Sequence, residues 1–217
     1  MDLSFALRSN GAVRGFTHDP VGDDVVAAIL DDARFAPSGG NKQPWRVAVV
    51  HDPFIRKAMG EMMRPVWQEY MGANAVGQRP FAFGRSIAAP LVDVPNDLID
   101  EIDSVPVVLA IAADLRDIAI MDGNVTHRPP VVGGASIYPF CWSILLAARA
   151  RGLGGVMTTF LSRAESSAAP LLGLPTDHAL VATIFLGVPV HQNTKLTRQP
   201  VESFTTIDRF DGPAFMS

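Results

Sequence analysis

The segment 134–151 constrains the fold most strongly, because a helix formed from it would be apolar on nearly every side. Such a helix is stable only where other elements or a second subunit cover it. Two arginines and then Gly152 follow in its last turn, as is typical of a helix C-terminus. We therefore predict a buried central or interface helix that ends at Gly152.

Several β-rich segments supply the strands on which this helix can pack. The run 105–112 is continuously apolar, which predicts a strand buried on both faces. Further strands are predicted at 46–50, 154–160 and 180–187, and further helices at 2–9, 23–34, 53–71 and 163–172. Helices interleaved with strands, without repeats or a second domain, predict one α+β or α/β layered domain over residues 1–217.

Composition narrows the classes of function. The 217 residues include 18 Lys and Arg against 22 Asp and Glu, and no basic run is present. This balance argues against a nucleic-acid or membrane partner. The N-terminus has no leader-like pattern and no stretch reaches membrane-spanning length, so we expect a cytoplasmic protein. The single cysteine, Cys141, lies in an apolar run and is interpreted as a core thiol.

Common catalytic signatures are absent from the sequence. The five histidines lack metal-ligand spacing, so each is interpreted as a surface or loop residue and no metal site is expected. We find no phosphate-binding glycine motif and no G-x-S-x-G nucleophile elbow.

Two long irregular regions are given separate roles, the first as a cover and the second as a contact with a partner subunit. Residues 62–130 are predicted to form a variable lid over a substrate site, since long loops in compact domains are often functional. Within it, Trp67, Phe81 and Phe83 are expected to cover a substrate, to form the core of the lid, or to make a dimer contact. The C-terminal arm 189–217 is predicted to pack on a partner subunit, where its alternating apolar residues would add a strand to the partner's sheet.

The most informative motif is the segment 34–46, which reads R-F-A-P-S-G-G-N-K-Q-P-W-R. It resembles the A-P-S-x-x-N-x-Q-P-W segment of the nitroreductase-like flavoprotein family. Five later segments agree with that family in order: G-A-S-I-Y-P at 134–139, L-L-A-A-R at 145–149, G-L-G at 152–154, V-M-T-T at 156–159, and a basic pair, Lys195 and Arg198, followed by P-V-E at 200–202. The resemblance covers essentially the whole chain and is weakest over 62–130.

The resemblance implies a fold, a cofactor and a reaction. The fold would be a three-layer α/β/α sandwich with a central mixed, mainly antiparallel sheet, in the α+β class. Two FMN molecules would lie at the interface of a homodimer. NADH or NADPH would reduce the flavin, and a nitroaromatic, quinone or related small molecule would then accept the electrons in a ping-pong sequence. No catalytic side chain is assigned, because the cofactor performs the redox step.

The same resemblance assigns the predicted FMN contacts to the phosphate, the ribityl chain and the ring. Arg198 and Lys195 would hold the phosphate, and Arg14 would lie near the ribityl chain or the N1–C2=O edge, where positive charge stabilises the anionic reduced ring. The alternative interpretation of Arg14 and Arg198 is that they are ordinary surface arginines without a role in binding. The remaining predicted FMN contacts are Pro37, Ser38, Gly39, Asn41, Gln43, Pro139, Met157, Thr158 and Thr159.

Two departures from the family keep alternatives open. Residues 10–12 read Asn-Gly-Ala where the family has two arginines and a serine, and Trp142 stands where many relatives have glutamine. The loss of the arginines at residues 10–12 would weaken FMN binding unless Arg8 supplies a replacement contact. The alternatives are a reductive dehalogenase or flavin-fragmenting enzyme of the same fold, a flavin-binding protein without turnover, and a deazaflavin enzyme.

Overall fold

The structure, a computed structural model, describes residues 2–82 and 89–215. Phe83, one of the predicted cover residues, lies outside this range. In chain order the elements are α1 (Leu3–Ser9), α2 (Asp23–Ala33), β1 (Trp45–Val49), α3 (Pro53–Ala75), α4 (Asp97–Asp100), β2 (Val107–Asp114), α5 (Tyr138–Ala150), β3 (Gly154–Thr158), α6 (Phe160–Arg163), α7 (Glu165–Leu172) and β4 (His178–Gly187).

The four strands form one sheet in the order β1-β2-β4-β3. The α+β class and the antiparallel character are confirmed. All three strand pairs among the described residues are antiparallel, so the parallel pairing of a mixed sheet is not found in this part of the chain. The expected strand 154–160 ends earlier, because Phe160 begins the short helix α6.

Strand β2 shows why the sheet is covered on both sides. Its eight residues are all buried. Leu109 and Ile111 pack into one apolar cluster with α2 and α5, whereas Val108 and Ala110 pack into a second cluster with α3, α4, α6 and α7. Alternate residues of a strand point to opposite faces, so the continuous apolar run produces a three-layer arrangement.

Helix α5 is the predicted central helix, but it begins at Tyr138 instead of residue 134. A 3-10 turn over Val132–Ser136 precedes it, and Pro139 lies in its first turn, where the missing N–H of proline costs no helical hydrogen bond. Phe140, Cys141 and Ile144 are buried against the sheet. Burial raises the pKa of the Cys141 thiol to about 12, which confirms a core thiol.

The region 62–130, predicted as a lid, is not irregular throughout, because it contains the end of α3, the short helix α4 and the buried central strand β2. Helix α3 extends to Ala75, past the expected end at 71. Between 189 and 215 the chain makes a 3-10 turn at Val201–Ser203 and two isolated bridges, Phe16–Pro189 and Thr206–Ala214. Among the described residues, none of the helices combines the length and apolarity needed to cross a membrane.

Candidate functional site

A cavity of about 700 Å³ opens at the end of β3, between the sheet and the helices α3 and α4. We call it the β3 cavity. Four of the residues predicted to bind the flavin line it together: Arg14, Met157, Thr158 and Thr159. Its helical wall consists mainly of apolar side chains, among them Met63, Trp67, Tyr70 and Leu98.

Arg14 reaches the β3 cavity because the chain before it pairs with β3. The backbone N–H of Val13 donates to the carbonyl of Gly155 at 3.0 Å. The Val13 side chain is buried against Gly154, where an added Cβ would lie 2.7 Å from Val13 Cγ2. Gly154 is therefore a positioning residue that the sequence did not reveal, although adjacent glycines in a strand are a signal of close backbone approach.

The polar atoms of the β3 cavity are poorly satisfied by the protein. Thr158 Oγ1 is buried and has no hydrogen-bond partner within the described chain, and the same holds for Thr183 Oγ1, although Thr183 is fully buried and does not line the cavity. The two threonines are register partners on β3 and β4. Arg14 is exposed and has no ion-pair partner among the described residues. Buried polar groups are normally paired, and of these groups the exposed Arg14 side chain is the one that a ligand can reach.

Aromatic side chains form the wall opposite the sheet. The rings of Trp67 and Tyr70 stack with centroids 5.9 Å apart, and Phe160 meets both of them edge-on. Phe81 packs on Tyr70 with a centroid distance of 6.3 Å, and Arg163 lies over the Phe81 ring. Trp67 thus lines the cavity, whereas Phe81 supports the wall from behind Tyr70.

A second hollow, of about 550 Å³, surrounds the loop that carries the family motif. Pro37, Ser38 and Gly39 line this loop hollow, together with Arg116 and residues between 117 and 136. Gly39 N–H donates to Ser136 Oγ, and Gln43 N–H donates to Ser38 Oγ, each at 3.0 Å. Pro139 lies three residues beyond Ser136 and lines neither cavity.

The backbone of this loop is held in an unusual conformation. Gly40, Asn41 and Gln43 have φ values of 57°, 54° and 51°. The left-handed region costs a residue with a side chain about 1–2 kcal/mol, and such positions cluster at ligand sites. The strained turn exposes the Asn41 and Gln43 side chains, although the Gln43 amide also donates to the Asn41 carbonyl at 3.2 Å.

The remaining predicted cations lie in a third place. Arg198 lines a hollow of about 700 Å³ between α1 and the tail, and Arg8 and Leu196 line it as well. Lys195 is exposed and does not line this tail hollow. A single chain therefore divides the predicted flavin contacts among three places instead of assembling one complete site.

The run Asn10-Gly11-Ala12, which replaces the family's arginines, packs beneath the tail. Asn10 is buried, and its Nδ2 has no partner in the described chain. A Cβ at Gly11 would lie 2.9 Å from Leu196 Cδ2. The close packing of the tail leaves no space for a larger residue at position 11 without a shift of Leu196.

One histidine was interpreted wrongly. His178 is in β4, its side chain is 8% exposed, and its Nδ1 lies 2.7 Å from Asp177 Oδ1. Asp114, buried beside it, bonds to Arg116, which holds the pKa of the Asp114 carboxyl well below its usual range. Asp114, Asp177 and His178 could hold a metal ion by distance alone. Arg116 supplies the countercharge to both carboxylates.

The comparisons with known proteins agree with this geometry. A model described as the Nitroreductase family matches residues 8–188. The chain belongs to the nitroreductase family. It is 26% identical to an NADH dehydrogenase of Thermus thermophilus over 228 residues, which span 93% of this chain and 94% of that protein. It is 30% identical to 5,6-dimethylbenzimidazole synthase of Rhodobacter capsulatus over 187 residues, with coverage of 86% and 83%.

Solved structures of the nitroreductase type share the fold. A crystal structure of oxidised iodotyrosine deiodinase bound to FMN and 3-iodo-L-tyrosine superimposes with a TM-score of 0.65 at 18% identity, covering 92% of this chain and 96% of that one. The predicted family, the nitroreductase-like α+β fold and the oxidoreductase class of enzyme are thereby confirmed.

Proposed function

We propose that this nitroreductase-family enzyme binds FMN, takes electrons from NADH or NADPH and passes them to nitroaromatic, quinone or related small acceptors in a ping-pong sequence. The observation that carries this proposal is the β3 cavity, where an exposed Arg14 without an ion-pair partner among the described residues lies beside Thr158 and an apolar wall. A planar, partly anionic cofactor matches that combination of surfaces.

The residues of the β3 cavity and of the tail have the side-chain chemistry that the parts of FMN would require. Arg14 would face the N1–C2=O edge, and Met157, Thr158 and Thr159 would border the ring. Arg198 and Lys195 would meet the phosphate. When bound, FMN would supply the hydride acceptor and the electron donor. The contacts proposed from the motif loop and the start of α5 are Pro37, Ser38, Gly39, Asn41, Gln43 and Pro139.

The chain's own residues would tune that chemistry. A fixed positive charge at Arg14 stabilises the negative charge that reduction places near N1, and it does so without solvent reorganisation. The apolar side chains of Trp67, Tyr70 and Met63 would exclude water from a bound ring, which would strengthen electrostatic interactions within the cavity.

A homodimer is part of the proposal, because the predicted contacts lie in three places on one chain. Tyr138 and Trp142 are 43% and 40% exposed on α5, and Leu3, Phe5 and Phe204 are also exposed. Exposed large apolar and aromatic side chains of this kind are typical of a subunit interface. A two-fold axis would bring the loop hollow of one protomer to the β3 cavity of its partner.

A second candidate function is favoured by the named relatives. The match to 5,6-dimethylbenzimidazole synthase supports a flavin-fragmenting enzyme, and a 26% identity to rat iodotyrosine deiodinase 1 over 184 residues supports a reductive dehalogenase. A third candidate is a flavin-binding protein without turnover, for which Asn10 and Gly11 in place of the family's arginines are the motivation.

The deciding experiment is to purify the protein without added cofactor, record its visible absorption and identify any released chromophore by mass. Bound FMN, bleached by NADH or NADPH under nitrogen and restored by a quinone or nitroarene, supports the proposed reaction. Halide release or breakdown of FMN in air selects one of the same-fold alternatives, and a deazaflavin mass identifies the other cofactor. A colourless protein that refuses excess FMN overturns the proposal.

A further inference from the structure

The β3 cavity carries an acidic side chain that the proposed flavin contacts do not use. Arg14 and Asp97 are the two charged residues among the described residues that line it. Arg14 enters beside β3, whereas Asp97 lies in the first turn of α4, on the helical side. If Arg14 faces the flavin, Asp97 is the charge that an acceptor molecule meets.

Two neighbouring carboxylates lie beside a cation, whereas Asp97 has no cationic partner among the described residues. Asp100 forms an ion pair with Arg64 of α3, and Asp93 lies 3.9 Å from the same guanidinium. Asp100 also accepts the backbone N–H of Asn96 at 2.9 Å, which pins the start of α4. Within residues 2–82 and 89–215, no cation lies at ion-pair distance from Asp97.

A rigid aromatic surface lies next to this charge. The Trp67 indole N–H donates to the Val94 carbonyl at 2.7 Å, which fixes α3 to the segment that leads into Asp97. Trp67 and Tyr70 are nearly parallel, with an interplanar angle of 10°. Flat side chains with few rotatable bonds favour planar ligands through stacking or edge contacts.

We propose that Asp97 is a specificity-determining residue, which makes the acceptor site select planar aromatic acceptors with a cationic or hydrogen-bond-donating substituent and disfavour carboxylated ones. The inference rests on the proposed function and deepens it by naming the substrate class. An unpaired carboxylate attracts an ammonium group and repels a carboxylate, and salt weakens both effects. For a partly exposed charge, we expect the preference between the two to be about tenfold.

The test uses the FMN-loaded protein and three acceptors of similar size: 4-nitrobenzylamine, 4-nitrobenzyl alcohol and 4-nitrobenzoate. Each kcat/KM is divided by that of the neutral alcohol with the same variant, so that folding and cofactor content cancel. D97N should lower the amine-to-benzoate ratio about tenfold, and high salt should do the same to the wild type. E101Q is the matched control, because Glu101 is exposed in the same segment and does not line the cavity.

The outcomes separate this inference from the proposed function. An unchanged amine-to-benzoate ratio in D97N, or an equal change in E101Q, overturns the role of Asp97. If the neutral alcohol is still reduced in that case, the proposed function stands. If no acceptor is reduced, the proposed function fails, and calorimetric binding of benzylamine against benzoate then tests Asp97 without turnover. Equal affinities for the two compounds, or a preference that D97N does not reduce, overturn the inference.

Discussion

The β3 cavity and the loop hollow hold their predicted ligand groups by different physical means. The cavity is set by core packing, since Val13 lies over Gly154 and Phe185 lines the wall from within the apolar cluster. The loop hollow depends on side-chain caps and on backbone in the left-handed region at Gly40, Asn41 and Gln43. The cavity should therefore respond to changes in volume and charge, and the loop to changes in backbone conformation.

The largest expected effect is the loss of charge in the β3 cavity. R14Q should weaken FMN binding by about 10- to 100-fold, because a charge-assisted hydrogen bond contributes about 1.5–3 kcal/mol. K42Q, which removes a cation from the loop hollow, should change affinity by less than about threefold, since Lys42 is exposed and pairs with Asp117. Titration of apoprotein with FMN, followed by flavin fluorescence, measures both. Equal losses of FMN affinity in R14Q and K42Q would contradict the expected difference between the β3 cavity and the loop hollow.

Packing supplies the next contrast. G154A should destabilise the protein by about 2 kcal/mol, because its Cβ would meet the Val13 side chain and overpacking in a core typically costs about 1–3 kcal/mol. G39A should cost less than about 0.5 kcal/mol, since the nearest atom to its Cβ is Ser136 Oγ at 3.5 Å. Urea unfolding gives both free energies of unfolding. A tolerated G154A would mean that Val13 is not fixed by close approach.

Backbone conformation should matter more in the loop. G40A adds a Cβ at φ 57°, where space is available but the left-handed region costs about 1 kcal/mol. Its neighbour G39A is the control, because Gly39 has no positive φ. The same urea titrations should rank G40A as less stable than G39A. Identical stabilities would show that the turn relaxes at no cost.

The smallest expected effect is the loss of stability in acid that results from protonation of Asp122, near the loop hollow. Bonds from Arg128 and from the Val131 and Val132 N–H groups lower the pKa of the Asp122 carboxyl to about 2. This native pKa lies below the ordinary value near 3.8, so its contribution is complete above pH 4 and lost as the pH falls through about 2. The free energy of unfolding between pH 4 and 2 should fall more steeply in the wild type than in D122N. If the two proteins lose stability equally between pH 4 and 2, ionisation of Asp122 does not contribute to the stability of the fold.

Much of the fold could be predicted because its elements are encoded locally. The apolar run of β2, the capped end of α5 at Gly152 and the helix signals of α2 each depend on residues that are close in sequence. The predicted boundaries were less accurate where the local sequence is compatible with two conformations, as at the start of α5 and at Phe160 after β3. His178 was assigned to the surface or a loop because its burial depends on the pairing of β4 with β2, which puts it beside Asp114, a residue distant in sequence.

By itself, the sequence determined the family, the fold class and which residues are candidates for FMN, since the motif at 34–46 and the Thr158-Thr159 pair are linear patterns. Only the tertiary structure decided which candidates meet. It brought Arg14 to Thr158 through a backbone hydrogen bond at Gly155, put Ser38 in a different hollow, and left Asp97 facing an aromatic wall. Such neighbours depend on strand register and close packing between distant segments, which no local pattern encodes.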